Sequence, residues 1–410
     1  MGTALGFVLM WLVLKALPDC WRNPRPILLS GTLLQITAAA TFATISFLTP
    51  RPWFLYILVL ARLLLGLGGG CQVSLAWIQA ARLTGQDRVL HNLRLFVAGC
   101  LGLGAGPLAS SLATGIGELM SCGQNGMEYV LALVALIPWM QLCIYVPPIP
   151  AIDQMPGSTA TPATSRAKAF VVCLCLAMLV FRNLSLAALE VGTAQLAQNK
   201  YGFESLAVGL LCAGIVFTSL PVQLLYERLR ANKKFRISLH TMLWTGLVAG
   251  CLLIFQEFAV FYCASLVFFP MMALSSGLVM AKMQENAMPD GSILDRNTTT
   301  LLGLIMADFL GRGFGPVSAR LSIASGGQKG FALMQVAYAA LSLLLYWTSL
   351  VASREDASKD ASAKDSGDSD APVAETLPSR LSSEDNGDED EEEEEEEDNS
   401  EEDKDHRDRC

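Results

Sequence analysis

Apolar segments of membrane-crossing length recur along the chain from Met1 to Ser353. They fall at 1–17, 27–48, 53–80, 94–114, 127–146, 168–198, 204–226, 237–256, 258–281, 299–323 and 329–350. A helix needs about 20 mainly apolar residues to cross a bilayer, so the pattern predicts eleven crossings. Pro, Gly and charged residues punctuate the segments, as at Pro50-Arg51-Pro52 and Met288-Pro289-Asp290-Gly291. Within each segment the apolar run is continuous, without the alternation that a transmembrane β-barrel strand requires. The expected fold class is therefore an all-α polytopic membrane protein.

Charge divides the chain into two unlike parts. The net charge is −9 over 410 residues. The stretch 354–410 holds 25 acidic and 7 basic residues, a charge of −18, and the rest carries +9. The tail from Ala357, with its acidic run Asp388–Asp398, lacks the apolar residues a core needs and is expected to be disordered. Two readings of it stand side by side. One is a solvated, self-repelling tail. The other is a docking segment for a basic protein partner, with Ser382 and Ser400, each followed by acid three residues on, as phosphorylation candidates.

The connections 18–26, 81–93, 147–167, 227–236 and 282–298, with their immediate flanks, hold 15 Lys and Arg, and the intervening connections hold three. Excess Lys and Arg marks the cytoplasmic side, which places these loops and the acidic tail in the cytoplasm. The membrane itself, plasma or organellar (vacuolar or lysosomal), stays open. Eleven scattered Cys and three His show no metal-ligand spacing. With no phosphate loop or nucleophile triad, no enzyme, cofactor, metal or nucleic-acid role is expected.

An internal repeat follows. Gly102-Leu-Gly104-Ala-Gly106-Pro107 recurs as Gly311-Arg-Gly313-Phe-Gly315-Pro316, offset by 209 residues. The same offset brings Gly68 to Gly277 and the charged loop of Asp19, Arg22 and Arg25 to that of Glu227, Arg228, Lys233 and Lys234. Many transporters consist of two halves related by an axis along the membrane normal. The predicted divisions are a five-helix bundle over 1–146, a central cytoplasmic loop over 147–167, a six-helix bundle over 168–352 and the tail over 353–410. By the offset, the helix at 168–198 would map upstream of Met1. One further apolar helix of ~20 residues is thus expected before the first segment; an eleven-helix protein closed by dimerisation or lipid is the alternative.

This organisation resembles the major facilitator superfamily. Asp19-Cys20-Trp21-Arg22-Asn23-Pro24-Arg25-Pro26 is similar to the acid-and-base loop between that family's second and third helices, without its glycines. Arg62-Leu-Leu-Leu-Gly66-Leu-Gly68 resembles the Arg-then-Gly element of the fourth helix. The run from Gly102 through Gly106 and Pro107 resembles the fifth-helix element of its proton-coupled antiporters. The resemblance implies two rocking bundles, with 168–198 as a cavity-lining seventh helix. It also implies gating or helix-packing roles for Asp19, Arg22, Arg25, Gly66, Gly102, Gly106, Pro107, Gly311, Gly315 and Pro316. Glycines allow close helix approach, and proline bends a helix.

Ionisable residues within apolar segments are costly and face a cavity or a partner. Arg62, Arg182, Glu190, Asp308 and Arg312 are the transport or coupling candidates. Arg320, nearer a helix end, reads as structural. Glu190 is either a protonatable coupling group or an interfacial carboxylate. Eight residues from it, Arg182 is expected on the same face. Asp308 and Arg312 have the i,i+4 spacing of an intrahelical ion pair. The function this implies is a secondary transporter moving a small solute by alternating access, with or without proton coupling. A uniporter or anion channel of the same fold, and a transport-dead receptor or scaffold, are the alternatives.

Overall fold

The computed structural model describes residues 2–17, 23–46, 53–83, 85–120, 140, 165–231, 238–288 and 292–367. They form α1 (Gly2–Ala16), α2 (Arg25–Ser46), α3 (Phe54–Arg82), α4 (Gly85–Met120), α5 (Ser165–Asn199), α6 (Ser205–Phe217), α7 (Ser219–Ala231), α8 (Leu239–Leu252), α9 (Phe258–Glu285), α10 (Arg296–Met306) and α11 (Gly313–Gly367). A π-helical segment, Ala307–Arg312, joins the last two. Apart from one isolated bridge, Met288 to Asp295, the described residues hold no strand. Apart from Met140, the expected crossing at 127–146 lies outside the described residues, as do most of the central loop and the tail from 368.

Six described segments are long and apolar enough to cross a membrane: 54–82, 87–106, 166–199, 205–229, 258–285 and 296–353. The molecule is also apolar outside. Leu55, Tyr56, Val248, Leu333 and Leu344 are each more than half exposed. A soluble monomer rarely shows such a surface; lipid covers it at no cost.

Several expected boundaries move. The basic connection at 81–93 is helical from Gly85, whose φ of 46° suits glycine, and Arg88 Nε donates to the Leu83 carbonyl at 2.8 Å to close the joint. The segment at 204–226 is broken at Thr218 into α6 and α7. Ala357 lies within α11, which runs to Gly367; the acid-before-base spacings Glu355–Lys359 and Asp360–Lys364 favour helix there.

A straight helix over 296–353 would reach about 87 Å, nearly three bilayer cores. Gly327, at φ 60° and ψ −146°, breaks it, and the chain turns back so tightly that a Cβ on Gly330 would lie 2.5 Å from the Ser322 carbonyl oxygen. Next to the break, Gln328 is buried and joins three connections. Its Nε2 donates to the Phe255 carbonyl at 2.8 Å, and its Oε1 accepts from Lys200 Nζ and from the Tyr201 hydroxyl at 2.9 Å.

Glycines set the closest helix contacts. A Cβ at Gly66 would lie 2.6 Å from the Gly2 backbone of α1, and one at Gly68 would overlap the Gly31 carbonyl of α2. Gly311 and Gly315 meet α5 the same way, at 2.6 Å from Asn183 Cβ and Ala187 Cβ. Their counterparts in the repeat behave differently. A Cβ at Gly102 or Gly106 meets no described atom within 4 Å, and both glycines are exposed.

Gly315→Leu should therefore overpack the α5 contact and cost roughly 1–3 kcal/mol, read as a lower melting temperature in detergent. Gly313→Ala, whose added Cβ meets nothing within 4 Å, should melt close to the parent. Equal loss in both variants would contradict the packing described.

Candidate functional site

A cavity of about 670 Å³ lies between α4, α5, α6 and α11. Its polar wall comes mostly from one stripe of α5: Glu190, Gln195, Gln198 and Asn199, with Val191 and Ala194 between them. At 3.6 residues per turn these lining side chains spread over about half of the helix circumference, on the side of Glu190 away from Arg182. Ser205 and Cys212 of α6 and Arg320 of α11 complete the polar lining, and Gly104 contributes from α4. Gln195 Oε1 is buried without a hydrogen-bond partner among the described residues, an unmet acceptor at the cavity wall.

Glu190 and Arg320 reach the same level of the bundle because α5 and α11 run side by side. Gly311 packs on Asn183 and Gly315 on Ala187, the same residue difference of 128 at both contacts. Continued along the helices, this register sets Arg320 beside Gly192, about 3 Å along the axis from Glu190 at 1.5 Å per residue. Glu190 also interacts electrostatically with Arg312, and both act on the thiol of Cys100 in α4. No salt bridge joins Glu190 to Arg312 or Arg320 among the described residues.

The cavity reaches the α5–α6 turn at 199–205. At the opposite end the two sequence halves are tied together. Arg94 of α4 pairs with Glu227 of α7 through two contacts of 3.2 and 3.1 Å, and Gln223 donates to the same carboxylate at 2.8 Å. Asn92 of α4 donates to Gln284 of α9 at 2.7 Å, and Arg82 of α3 to Asn297 of α10 at 3.2 Å. Gly277 lets α9 cross directly over Asn92 and Leu93.

No family model and no curated protein matches the chain. Solved transporter structures do. The human organic anion transporter MFSD10 (TETRAN) aligns over 84% of this chain and 83% of that one, with a TM-score of 0.58 and 18% identity. A major facilitator superfamily transporter, FucP, in the outward conformation aligns over 79% and 83%, with a TM-score of 0.54 and 13% identity. A bacterial homologue of the iron transporter ferroportin in its outward-facing state aligns over 85% and 89%, with a TM-score of 0.55 and 13% identity.

The chain has the major facilitator fold. Within that fold the sequence-derived candidates separate. Glu190 lines the cavity that α5, α6 and α11 form with Gly104 of α4. Arg182 does not. It is wholly buried, and its guanidinium donates to the carbonyls of Met271 at 3.2 Å and Met272 at 2.9 Å and to Ser276 Oγ at 3.3 Å, all on α9. The shared face expected for Arg182 and Glu190 is corrected by helix geometry: eight residues at 3.6 per turn leave the two side chains about 80° apart.

The expected intrahelical pair of Asp308 and Arg312 is also absent among the described residues. The spacing presumed an α-helix, and the segment is π-helical, with i→i+5 bonding. Arg62 is exposed on α3, away from the cavity lining. In the major facilitator arrangement Gly66, Gly311 and Gly315 sit in tight helix contacts, whereas Gly102 and Gly106 meet no neighbour among the described residues. Pro316 is half-buried in α11, and Arg25 begins α2. Pro107 lies in α4, its side chain outside the described set. Asp19, Arg22, Ser382 and Ser400 lie outside the described residues. Arg320, read from the sequence as structural, is the cavity group that linear reasoning missed. Its distance from a helix end suggested the interface, and only the α5–α11 register brings it to Glu190.

Arg182→Met should remove the charge-assisted bonds to α9. Such bonds are worth about 1.5–3 kcal/mol each in net terms, so a melting temperature lowered by several degrees in detergent is expected. A variant as stable as the parent would contradict the bridging role.

Proposed function

We propose that this chain is a secondary transporter that moves a small solute across a bilayer by alternating access, with Glu190 as its proton-coupling group. The observation that carries this reading is the position of Glu190, the one carboxylate among the described residues lining a cavity that α5, α6 and α11 form with Gly104 of α4, in a molecule clamped at the far end by Arg94–Glu227, Asn92–Gln284 and Arg82–Asn297. An ionisable side chain at such a site, within apolar helices, is a functional group by default.

The solved neighbours support the class. They include an organic anion transporter and a fucose:proton symporter. Because the clamped end carries the basic connections, the positive-inside pattern makes it cytoplasmic. The cavity then opens outward, and the acidic tail is cytoplasmic. Transport requires these clamps to part as the 199–205 end closes. Exposed ion pairs such as Arg94–Glu227 are worth only about 0.2–1 kcal/mol, weak enough to exchange in a working cycle.

Glu190→Gln keeps the shape of the side chain and removes its proton chemistry. In proteoliposomes the variant should lose the acceleration of uptake by an inward proton gradient while retaining exchange of solute across the membrane. An unchanged pH dependence in a normally inserted variant rejects the coupling role.

A further inference from the structure

We propose that the solute is a small organic anion whose acidic group seats on Arg320, and that it crosses together with one proton on Glu190. The proposal rests on the transporter reading above and adds the class of substrate.

Arg320 is the reason. It is an exposed side chain on the cavity lining, and its guanidinium has no hydrogen-bond or salt-bridge partner among the described residues, which leaves it open to a ligand entering the cavity. A guanidinium offers a planar fork that fits a carboxylate through two parallel hydrogen bonds. Beside it, Gln195, Gln198, Asn199 and Ser205 provide further donors and acceptors, including the unmet Gln195 oxygen. Val191, Val208 and Val216 supply apolar wall for the organic body. The volume of about 670 Å³ lies within the roughly 300–1,000 Å³ of small-molecule sites.

The neighbouring carboxylate then dictates a proton. Charged or titratable groups around Glu190 are Arg312 from the π segment and the thiols of Cys100 on α4 and Cys212 on α6, and Arg320 of α11 shares the cavity lining. An anion on Arg320 brings a second negative charge into the cavity that Glu190 lines. Two carboxylates sharing a site resist joint ionisation, so binding recruits a proton from water on the loading side to Glu190. After the halves rock, anion and proton leave to water on the other side. The pair is neutral, so the coupled step moves no net charge.

The test uses the full chain in sealed proteoliposomes with a trapped pH dye. The probes are labelled p-aminohippurate, its neutral amide, and tetraethylammonium. Uptake of p-aminohippurate with acidification of the lumen, insensitive to membrane potential, is expected. Arg320→Gln should lower that uptake about tenfold or more, the scale of a lost charge-assisted contact, and Arg320→Lys should restore part of it. Preference for the amide or the cation overturns the anion assignment and leaves the transporter reading intact. Uptake of none of the three overturns the anion seat, and side-dependent labelling of Cys212 then reads the transporter proposal separately. Normal p-aminohippurate uptake by Arg320→Gln overturns the role of Arg320.

Discussion

The close approach of α5 and the Gly311–Gly315 stretch fixes the position of every candidate group. A side chain at either glycine would overlap Asn183 or Ala187, so the backbones meet almost directly and their register has little freedom. From that register Arg320 comes level with Glu190, and Arg312 lies below it. The same α5 then shows two faces. One binds Arg182 into the backbone of α9, and the other presents the polar stripe to the cavity. Move α5 by one turn, about 5.4 Å, and no two of these charges keep their present neighbours.

Around this seam the chain meets the constraint of a membrane interior, where backbone polar groups left without partners are costly. Pro270 within α9 cannot donate to the carbonyl of Leu266. The Thr218 hydroxyl, from the break between α6 and α7, donates to the Ile215 carbonyl at 2.5 Å and lies 3.2 Å from the Leu266 oxygen, so it serves that carbonyl only as the longer arm of a shared hydrogen bond. Arg182 serves the next turn of α9, adding donors to the Met271 and Met272 carbonyls. Gln328 performs the same service at the far end, where the Gly327 reversal and the 253–256 turn expose carbonyls. These side chains add donors to backbone carbonyls inside 165–353, whereas the links from 82–94 to 227–297 are a few side-chain polar contacts.

Much of the fold was legible in the sequence, since continuous apolar runs and the 209-residue repeat depend only on local composition and spacing. The repeat also located Gly311 and Gly315, which set the close contact with α5. Less legible were features that depend on register between distant segments. Arg182 and Glu190 share an approximate helical spacing, yet 80° of rotation, about one-quarter turn, sends one into a helix seam and the other into a cavity. Asp308 and Arg312 have ion-pair spacing on paper, and the π turn removes it. Arg320 gave no sign of its role, because the residue that defines it, Glu190, is 130 positions away in the chain. The repeat is likewise unequal in three dimensions: Gly311 and Gly315 have α5, and Gly102 and Gly106 meet no neighbour among the described residues.

Cys212, a native thiol on the cavity wall, offers the most direct view of alternating access. In a variant keeping this as its single cysteine, a membrane-impermeant maleimide is applied from either side of sealed, uniformly oriented vesicles, at rest and during proton-driven turnover. The account predicts labelling at rest only from the side of the 199–205 turn, and labelling from both sides during turnover. A thiol that reacts from the same single side under both conditions, or from neither, would contradict it.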